Sequence, residues 1–409
     1  MTDKKKQDLI LFFAVVAAIS IALGFYEGLL GNYFKDVYNT DGFQRGLIEF
    51  PRELPGIIAF VVISALAFLG DITLAIIAQA LSAIGLLILG FFTPLFGYML
   101  VFLFINSMGF HLYLPLRDSI GMALAEPDKI GKRMGQYAGV RFAFLTISGI
   151  AVYLLFRFDI FTFDAGIKWT FIVAAAFFFI AMFLLIKLKR DVGQVRGKRG
   201  KFRLLFRKEY KYYYIIAIVF GVQKQVMLVF GPWVLIETLG QQVDTIVLLG
   251  IIASLIGAFF MPLLGRWIDR FGVKRLLFVD AISFILIYLF YGVLCQLLDL
   301  GILAKVGFPV ILVSALFVLD RLSTQMGIVR TVYLKSIAKK QSDIVPTLSL
   351  GMTLDHIVSI IVGVSGGIVW VTIGSQYIFY IVSALSLINL AVAILVKEPK
   401  KKLKEPLLP

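Results

Sequence analysis

The chain has 409 residues, of which 60% are hydrophobic, 14% aromatic and only 16% charged. A typical soluble domain is roughly 45–50% apolar and about 25% charged, so this composition excludes an ordinary soluble enzyme and indicates an integral membrane protein. The formal net charge of +15 comes from lysines and arginines in short segments between apolar runs, which is not the continuous basic surface that nucleic acid requires. The single Cys295 excludes a disulfide framework.

Apolar runs long enough to cross a hydrocarbon core of about 30 Å recur along the whole chain. They predict an all-α membrane protein with twelve transmembrane helices. The predicted spans cover residues 9–33, 44–70, 73–92, 97–124, 134–157, 167–188, 212–238, 243–265, 274–298, 308–337, 345–370 and 375–396. The first run has no small-residue cleavage site, so we expect it to remain as a span.

Lysine and arginine are unevenly divided between the two ends of these spans. If the N-terminus is in the cytoplasm, the cytoplasmic segments hold 29 of the 40 basic residues and the external loops hold five. Basic residues at the edge of a span are mostly counted with the adjoining loop. Because cytoplasmic loops are enriched in lysine and arginine, we expect both termini on the cytoplasmic side of the plasma membrane. The most basic interruption, residues 189–211, is interpreted as a cytoplasmic linker, with binding of anionic lipid as its functional alternative.

The two parts of the chain on either side of this linker show a weak internal repeat. A shift of 214 residues places Gly149 on Gly363 and Arg141 on Asp355. We therefore predict two pseudo-symmetric six-helix bundles, with a substrate site between them near the membrane midplane. The predicted bundles are residues 1–188 and 212–409, and the second ends in a basic cytoplasmic tail.

The segment GRWIDRFGVKR, residues 265–275, stands between the eighth and ninth predicted spans. It resembles the signature cytoplasmic loop of the major facilitator superfamily. The matching residues are Gly265, Asp269, Arg270, Gly272, Lys274 and Arg275. The resemblance implies a transporter of two six-helix bundles, in which this loop holds the inner gate in the outward-open state. Of the equivalent loop in the first half, only Gly70 and the gate candidate Asp71 remain.

Helices one, four, seven and ten line the central cavity in that family, so the resemblance places several intramembrane polar residues there. Ionisable groups are costly inside a membrane and usually face a bundle interior or a water-filled cavity. The predicted substrate contacts are Lys224, Gln223, Asp320, Arg321, Gln325 and Asn106. Lys224 is interpreted either as a contact for an anion or as half of a structural ion pair, with Asp320 as its expected partner.

Other intramembrane groups are candidates for proton coupling or for gating, with a structural role as the alternative for each. Histidine titrates near neutral pH, and a carboxyl group can also carry a proton. The proton-coupling candidates are Glu27, His111, Asp355 and His356, and the further gate candidates are Arg117, Asp118, Arg141 and Arg330. We expect Arg141 to pair with Asp355 across the halves. Glu49, Arg52 and Glu53 are interpreted as an outer-gate or interfacial cluster.

These residues predict a secondary active transporter of a small polar solute, anionic or zwitterionic, that works by alternating access with or without proton coupling. The sequence has no phosphate-binding loop and no metal-ligand spacing, so no enzyme, cofactor or metal site is predicted. We expect a monomer that contacts anionic lipid and no nucleic acid. Two alternatives stay open: an exporter of amphipathic compounds or lipid flippase, in view of the 38 phenylalanines, and a membrane receptor or scaffold acting through the basic linker.

Overall fold

The computed structural model describes residues 3–126, 129–194 and 205–396. These segments consist of helices and short connections and contain no β-strand, which confirms the all-α prediction. The predicted C-terminal tail, residues 397–409, and the middle of the predicted linker, residues 195–204, lie outside the described residues.

The described part of the first half contains eight α-helices. They are α1 (Asp3–Tyr26), α2 (Leu30–Tyr38), α3 (Gly42–Leu47), α4 (Glu49–Ala65), α5 (Asp71–Phe91), α6 (Phe96–Leu124), α7 (Ile130–Arg157) and α8 (Trp169–Val192). A reversal of the chain between α2 and α3 uses Asn39 in the left-handed region, at φ 47°, a conformation that asparagine tolerates. Asp41 is the N-cap residue of α3. Its carboxylate accepts a hydrogen bond from the backbone N–H of Gln44, which would otherwise be a free donor in the first turn.

The described part of the second half contains six α-helices. They are α9 (Lys211–Trp233), α10 (Val243–Asp299), α11 (Phe308–Gln325), α12 (Ile328–Ile337), α13 (Gln341–Thr372) and α14 (Ser375–Leu395). α9 continues into a π-helical turn, Val234–Thr238. α10 covers two predicted spans, and its backbone leaves the helical region at Gly272, with φ 80° and ψ 163°. Only glycine adopts this conformation without strain, so the chain reverses inside the motif loop.

Ten helical segments in the described part of the chain are long and apolar enough to cross a membrane. Two features explain the difference from the predicted twelve. The two arms of α10 are counted together in spite of the break at Gly272. α4 has 17 residues, fewer than the roughly 20 that span a bilayer, although α3 precedes it directly. The twelve-span count therefore stays a prediction.

Each half has its own apolar core. Phe12, Phe171 and Phe178 are almost fully buried in the first half, and Trp233 and Tyr288 are fully buried in the second. Large apolar side chains also cover the outside of the helices, as at Phe259, which is 82% exposed. An apolar exterior of this kind is what contact with lipid requires.

The helix ends form two groups, because successive spans run in opposite directions. We call the end that carries the start of α1 and the loop at Gly272 the basic face, and the other end the opposite face. The halves meet along two main interfaces. In the first, α7 packs against α10, and in the second, both α3 and α4 pack against α13. Both interfaces flank a central space, which is where the candidate site lies.

Candidate functional site

A cavity of about 830 Å³ lies between the two halves, at mid-depth along the helices. Among the described residues, its charged or titratable lining consists of Glu27, Arg45, Glu49, Arg52, Glu53, His111, Lys224, Arg321, Asp355 and His356. This set contains four carboxylates, four cationic side chains and two histidines, so opposite charges are balanced. A space of this size is typical of small-molecule sites, which measure about 300–1,000 Å³.

Glu49 is the centre of the most deeply buried ionic network, with a side chain that is 2% exposed. Its Oε1 accepts from Nη1 of Arg45 at 2.6 Å and from Nη1 of Arg52 at 2.8 Å. Its Oε2 accepts from Nε2 of Gln225 at 3.0 Å. Gln225 lies on α9, so this network joins the two halves and leaves Glu49 no free oxygen for a solute.

Lys224 forms an ion pair with Asp355 of α13, and both side chains are about a quarter exposed to the cavity. The prediction that Lys224 pairs with Asp320 is wrong in this conformation. The Asp320 side chain points into the core of the second half. There it lies 3.4 Å from the Tyr288 hydroxyl and 3.4 Å from the Thr324 hydroxyl. The cavity lysine is thus held by α13 and not by α11.

The expected pair of Arg141 and Asp355 is also wrong in this conformation. Arg141 is exposed on α7, beside Arg117, and makes no ion pair with any described residue. Asp355 is occupied by Lys224, which belongs to the same half. The weak repeat gave no information on which side of each helix these two residues lie.

Glu53, His111 and His356 come together at the centre of the cavity. Nδ1 of His356 lies 2.7 Å from Oε2 of Glu53, and the two histidine rings are 5.2 Å apart between centroids. One potential ligand atom from each residue lies within 4.8 Å of those of the other two. The sequence predicted no metal site, because these residues lie far apart on α4, α6 and α13 and only the fold brings them together.

Glu27 and Arg321 differ from the other charges of the cavity. Neither makes an ion pair within 4 Å among the residues that the structure describes. The Arg321 guanidinium lies 5.0 Å from the ring of Phe317, and the Glu27 side chain is exposed to the cavity. The two therefore offer one negative and one positive group, from opposite halves, to a solute.

Four of the six predicted substrate contacts line the cavity, namely Lys224, Arg321, Gln325 and Asn106. Gln223 and Asp320 do not. Gln223 is fully buried and donates to Oγ of Ser386 at 2.7 Å, so its amide is engaged inside the second half. All four proton-coupling candidates, Glu27, His111, Asp355 and His356, do line the cavity.

Several contacts of the predicted gate residues lie within one half. Asp71 accepts from Ser119, and Nε of Arg117 donates to the adjacent Asp118 at 2.8 Å. Arg330 lies 3.3 Å from the ring centroid of Phe220, on the neighbouring helix α9.

In the motif loop, Gly265, Asp269, Arg270 and Arg275 are exposed, while Lys274 donates to the backbone oxygen of Ile394 at 3.0 Å. Within the described part of the chain, none of the loop residues bonds to the first half.

The polar contacts between the halves lie from mid-depth to the opposite face, among the residues that the structure describes. Lys35 pairs with Glu237 at 3.4 Å, and Arg157 pairs with Asp244 at 3.3 Å. Nδ2 of Asn32 donates to the backbone oxygen of Gln241 at 3.1 Å. The halves are therefore joined at the opposite face in this conformation.

Glycines on α3 and α13 allow the backbones of the two halves to approach closely. A Cβ atom on Gly46 would lie 2.1 Å from the oxygen of Gly363, and one on Gly367 would lie 2.8 Å from the oxygen of Gly42. Each helix thus carries two glycines four residues apart, a spacing that lets membrane helices pack closely. The sequence analysis missed these residues, although GFQRG and GVSGG are visible in the chain.

Comparisons with known proteins agree with this architecture. The model of the Major Facilitator Superfamily matches residues 9–338. A variant of the nucleoside transporter NupG has a TM-score of 0.76 at 14% identity, covering 95% of this chain and 100% of that one. A bacterial homologue of the human lysosomal transporter Spinster, inward-facing and unoccupied, has a TM-score of 0.69 at 12% identity, with 97% of each chain covered.

A D-xylose-proton symporter has a TM-score of 0.65 at 17% identity, covering 96% of this chain and 98% of that one. At these identities the likeness shows the fold alone. Comparison with the curated proteins finds no match.

Proposed function

Because the chain belongs to the major facilitator superfamily, an integral membrane transporter family, we propose that it moves a small zwitterionic solute across the membrane by alternating access. The observation that carries this proposal is the presence of Glu27 and Arg321 on opposite sides of one cavity without ion-pair partners in the described part of the chain. Arg321 is partly buried and Glu27 is exposed to the cavity, so each gains a charge-assisted contact when a solute supplies the opposite charge.

Charge balance supports a zwitterion over a simple anion. Of the other cations of the cavity, Lys224 is paired with Asp355, and Arg45 and Arg52 are paired with Glu49, with the Glu53 carboxylate as the second negative charge near Arg52. Among the described residues, Arg321 and Glu27 are then the cavity charges without an ion-pair partner, and one solute with both charges satisfies both. The same pattern disfavours an uncharged lipophilic solute, which would displace water from both charges without pairing either of them.

We also propose that transport is coupled to a proton that binds at the pair of Glu53 and His356. This contact joins α4 of the first half to α13 of the second, and protonation of His356 would strengthen its attraction to Glu53. A proton bound here therefore favours the conformation in which the halves are joined. The surrounding charged groups are Arg52 on α4, Lys224 on α9 and Asp355 on α13, with His111 on α6.

We place the basic face in the cytoplasm of the plasma membrane, in agreement with the distribution of lysine and arginine. The predicted attraction of the linker to anionic lipid is retained as a proposal.

A transport assay with matched variants tests the solute class. Purified protein in proteoliposomes is screened by counterflow against zwitterionic, anionic, cationic and neutral solutes of similar size. We expect a zwitterion to be carried best and Arg321→Gln and Glu27→Gln each to reduce its uptake at least about 10-fold, since each removes a charge-assisted contact worth about 1.5–3 kcal/mol.

Two results would contradict the zwitterion proposal. Preference for neutral lipophilic solutes, unaffected by either substitution, would favour the amphipathic exporter. Equal transport by wild type and Glu27→Gln, with loss only in Arg321→Gln, would indicate a simple anion. Asp191→Asn serves as the control, because Asp191 is exposed at the end of α8, outside the cavity lining, and its substitution also removes one negative charge.

A further inference from the structure

We propose that Glu53, His111 and His356 form a binding site for one divalent transition-metal ion, separate from the solute contacts at Glu27 and Arg321. Their potential ligand atoms lie within 4.8 Å of one another, a spacing that one central ion can bridge. Each of the three side chains is partly buried and reaches the cavity, so an ion has access to the site. The proposal does not depend on which solute is transported.

The contacts of Ser107 fix how His111 presents its ring. The Ser107 hydroxyl donates its hydrogen to the backbone oxygen of Arg52, so towards His111 it can only accept. Nδ1 of His111 lies 3.1 Å from this hydroxyl and 2.9 Å from the backbone oxygen of Ser107. Two acceptors around Nδ1 require that it carry the hydrogen, which leaves the lone pair on Nε2. Metal-binding histidines are held in the same way, with the second ring nitrogen donating to a carbonyl or carboxylate.

His356 is positioned by Glu53 and by the lack of a side chain at Gly56. Nδ1 of His356 lies 2.7 Å from Oε2 of Glu53, and a Cβ atom on Gly56 would lie 2.4 Å from the imidazole ring. The ring therefore fits against α4 only because residue 56 is glycine. Helix α4 thus supplies both a carboxylate and the space for the histidine of α13.

The ligand types indicate the class of ion. Two imidazoles and one carboxylate suit Zn²⁺, Co²⁺, Ni²⁺ or Fe²⁺, whereas Ca²⁺ and Mg²⁺ prefer oxygen ligands alone. Three protein ligands leave at least one coordination position for water or for a solute atom in the cavity. The charge around the site permits a cation, because Lys224 is neutralised by Asp355, and Glu49 and Glu53 together balance Arg45 and Arg52, which leaves no net positive charge.

An ion at this site would join the two halves of the protein. Glu53 and His111 belong to the first half, and His356 belongs to the second. Binding therefore stabilises the conformation in which α4 and α13 are in contact. Protons compete for the same imidazole nitrogens, so affinity falls as pH is lowered.

Cobalt titration of the purified protein tests the site directly. The chain contains only two histidines, both in this cluster, so a tag-free preparation has no other imidazole ligand. We expect Co²⁺ to give one equivalent of visible d–d absorption at pH 7.5 and to lose it at pH 5. Zn²⁺ should displace the cobalt, and Ca²⁺ at the same concentration should not. Bound Co²⁺ should also raise the unfolding temperature.

Substitution of each ligand should weaken cobalt binding at least about 10-fold, since even loss of a supporting contact around a metal costs 10–100-fold. The ligand variants are His111→Gln, His356→Gln and Glu53→Gln. Glu27→Gln, which removes another carboxylate of the same cavity, should bind cobalt as wild type does. Circular dichroism and gel filtration establish that each variant is folded.

Several results would overturn the proposal. No absorption with wild-type protein at pH 7.5 would exclude the site without any variant. Equal binding by wild type and folded His356→Gln, or equal displacement by Ca²⁺, would show that cobalt binds elsewhere through oxygen ligands. Solute transport is measured separately, so failure of the metal site leaves the zwitterion proposal standing.

Discussion

At the residue scale, the pairing of Lys224 with Asp355 is the contact that most changes the interpretation of the cavity. The sequence predicts correctly that Lys224 lies deep in a span, because its distance from the ends of the apolar run is visible. Its partner is not visible, because Asp320 and Asp355 both lie deep in spans and only helix rotation decides which faces the lysine. For the same reason, the sequence did not show that Gln223 faces the protein core whereas the adjacent Lys224 faces the cavity.

The pairing makes a prediction about stability. Lys224→Met and Asp355→Asn should each lower the free energy of unfolding, because each leaves one charge without its partner in a partly buried site. The double variant should recover about 1 kcal/mol relative to the sum of the two losses, a coupling energy discounted because both side chains are about a quarter exposed. Chemical unfolding in detergent, followed by tryptophan fluorescence, measures the cycle.

Combining Lys224→Met with Asp320→Asn provides the matched control. Asp320 bonds to Tyr288 and Thr324 and not to the lysine, so these two losses should simply add. Coupling of Lys224 to Asp320, and none to Asp355, would restore the pairing expected from the sequence.

At the element scale, apolar length identified most of the spans because hydropathy depends little on tertiary contacts. The loop at Gly272 was also predictable, since its glycine and charged residues interrupt an apolar run. The contact of α3 with α13 was not predictable. It depends on close approach of the two backbones at glycines, and these glycines form no hydrophobic or charge pattern in the sequence. The ligands Glu53, His111 and His356 were likewise visible singly but not as a set.

The glycine contact predicts how the opposite face is closed. Gly46→Leu should separate α3 from α13, because its Cβ atom would meet the Gly363 oxygen at 2.1 Å. A cysteine at position 27, in a Cys295→Ser background, reports access to the cavity. In whole cells, a thiol reagent that does not cross the membrane should label Glu27→Cys at least about 10-fold faster when Gly46 is replaced.

Gly97→Leu is the control for this experiment. Gly97 also lies in a helix at the opposite face, but a Cβ atom there would have no neighbour within 4 Å. Labelling should therefore stay at the parent rate. Equal acceleration by both substitutions would show that general destabilisation, and not the α3 contact, opens the cavity.

At the scale of the whole molecule, the two faces differ in how the halves are joined. The opposite face carries the cross-half pairs and the glycine contact, whereas the motif loop at the basic face makes no bond to the first half in the described part of the chain. With the basic face in the cytoplasm, this arrangement is an inward-facing conformation. The assignment of the loop to the inner gate of the outward-open state, which the resemblance implies, stays a prediction.

Alternating access then requires the opposite face to separate in every cycle, and this requirement can be tested by holding it closed. In a Cys295→Ser background, Lys35→Cys and Glu237→Cys replace the ion pair that joins α2 to the end of α9. A short bifunctional thiol reagent should reduce counterflow of the transported solute at least about 10-fold, and a cleavable reagent should restore it on reduction. Lys35→Cys alone, treated in the same way, should retain transport. Unchanged transport in the cross-linked protein would mean that the solute crosses without separation of α2 from α9, which the alternating-access proposal does not allow.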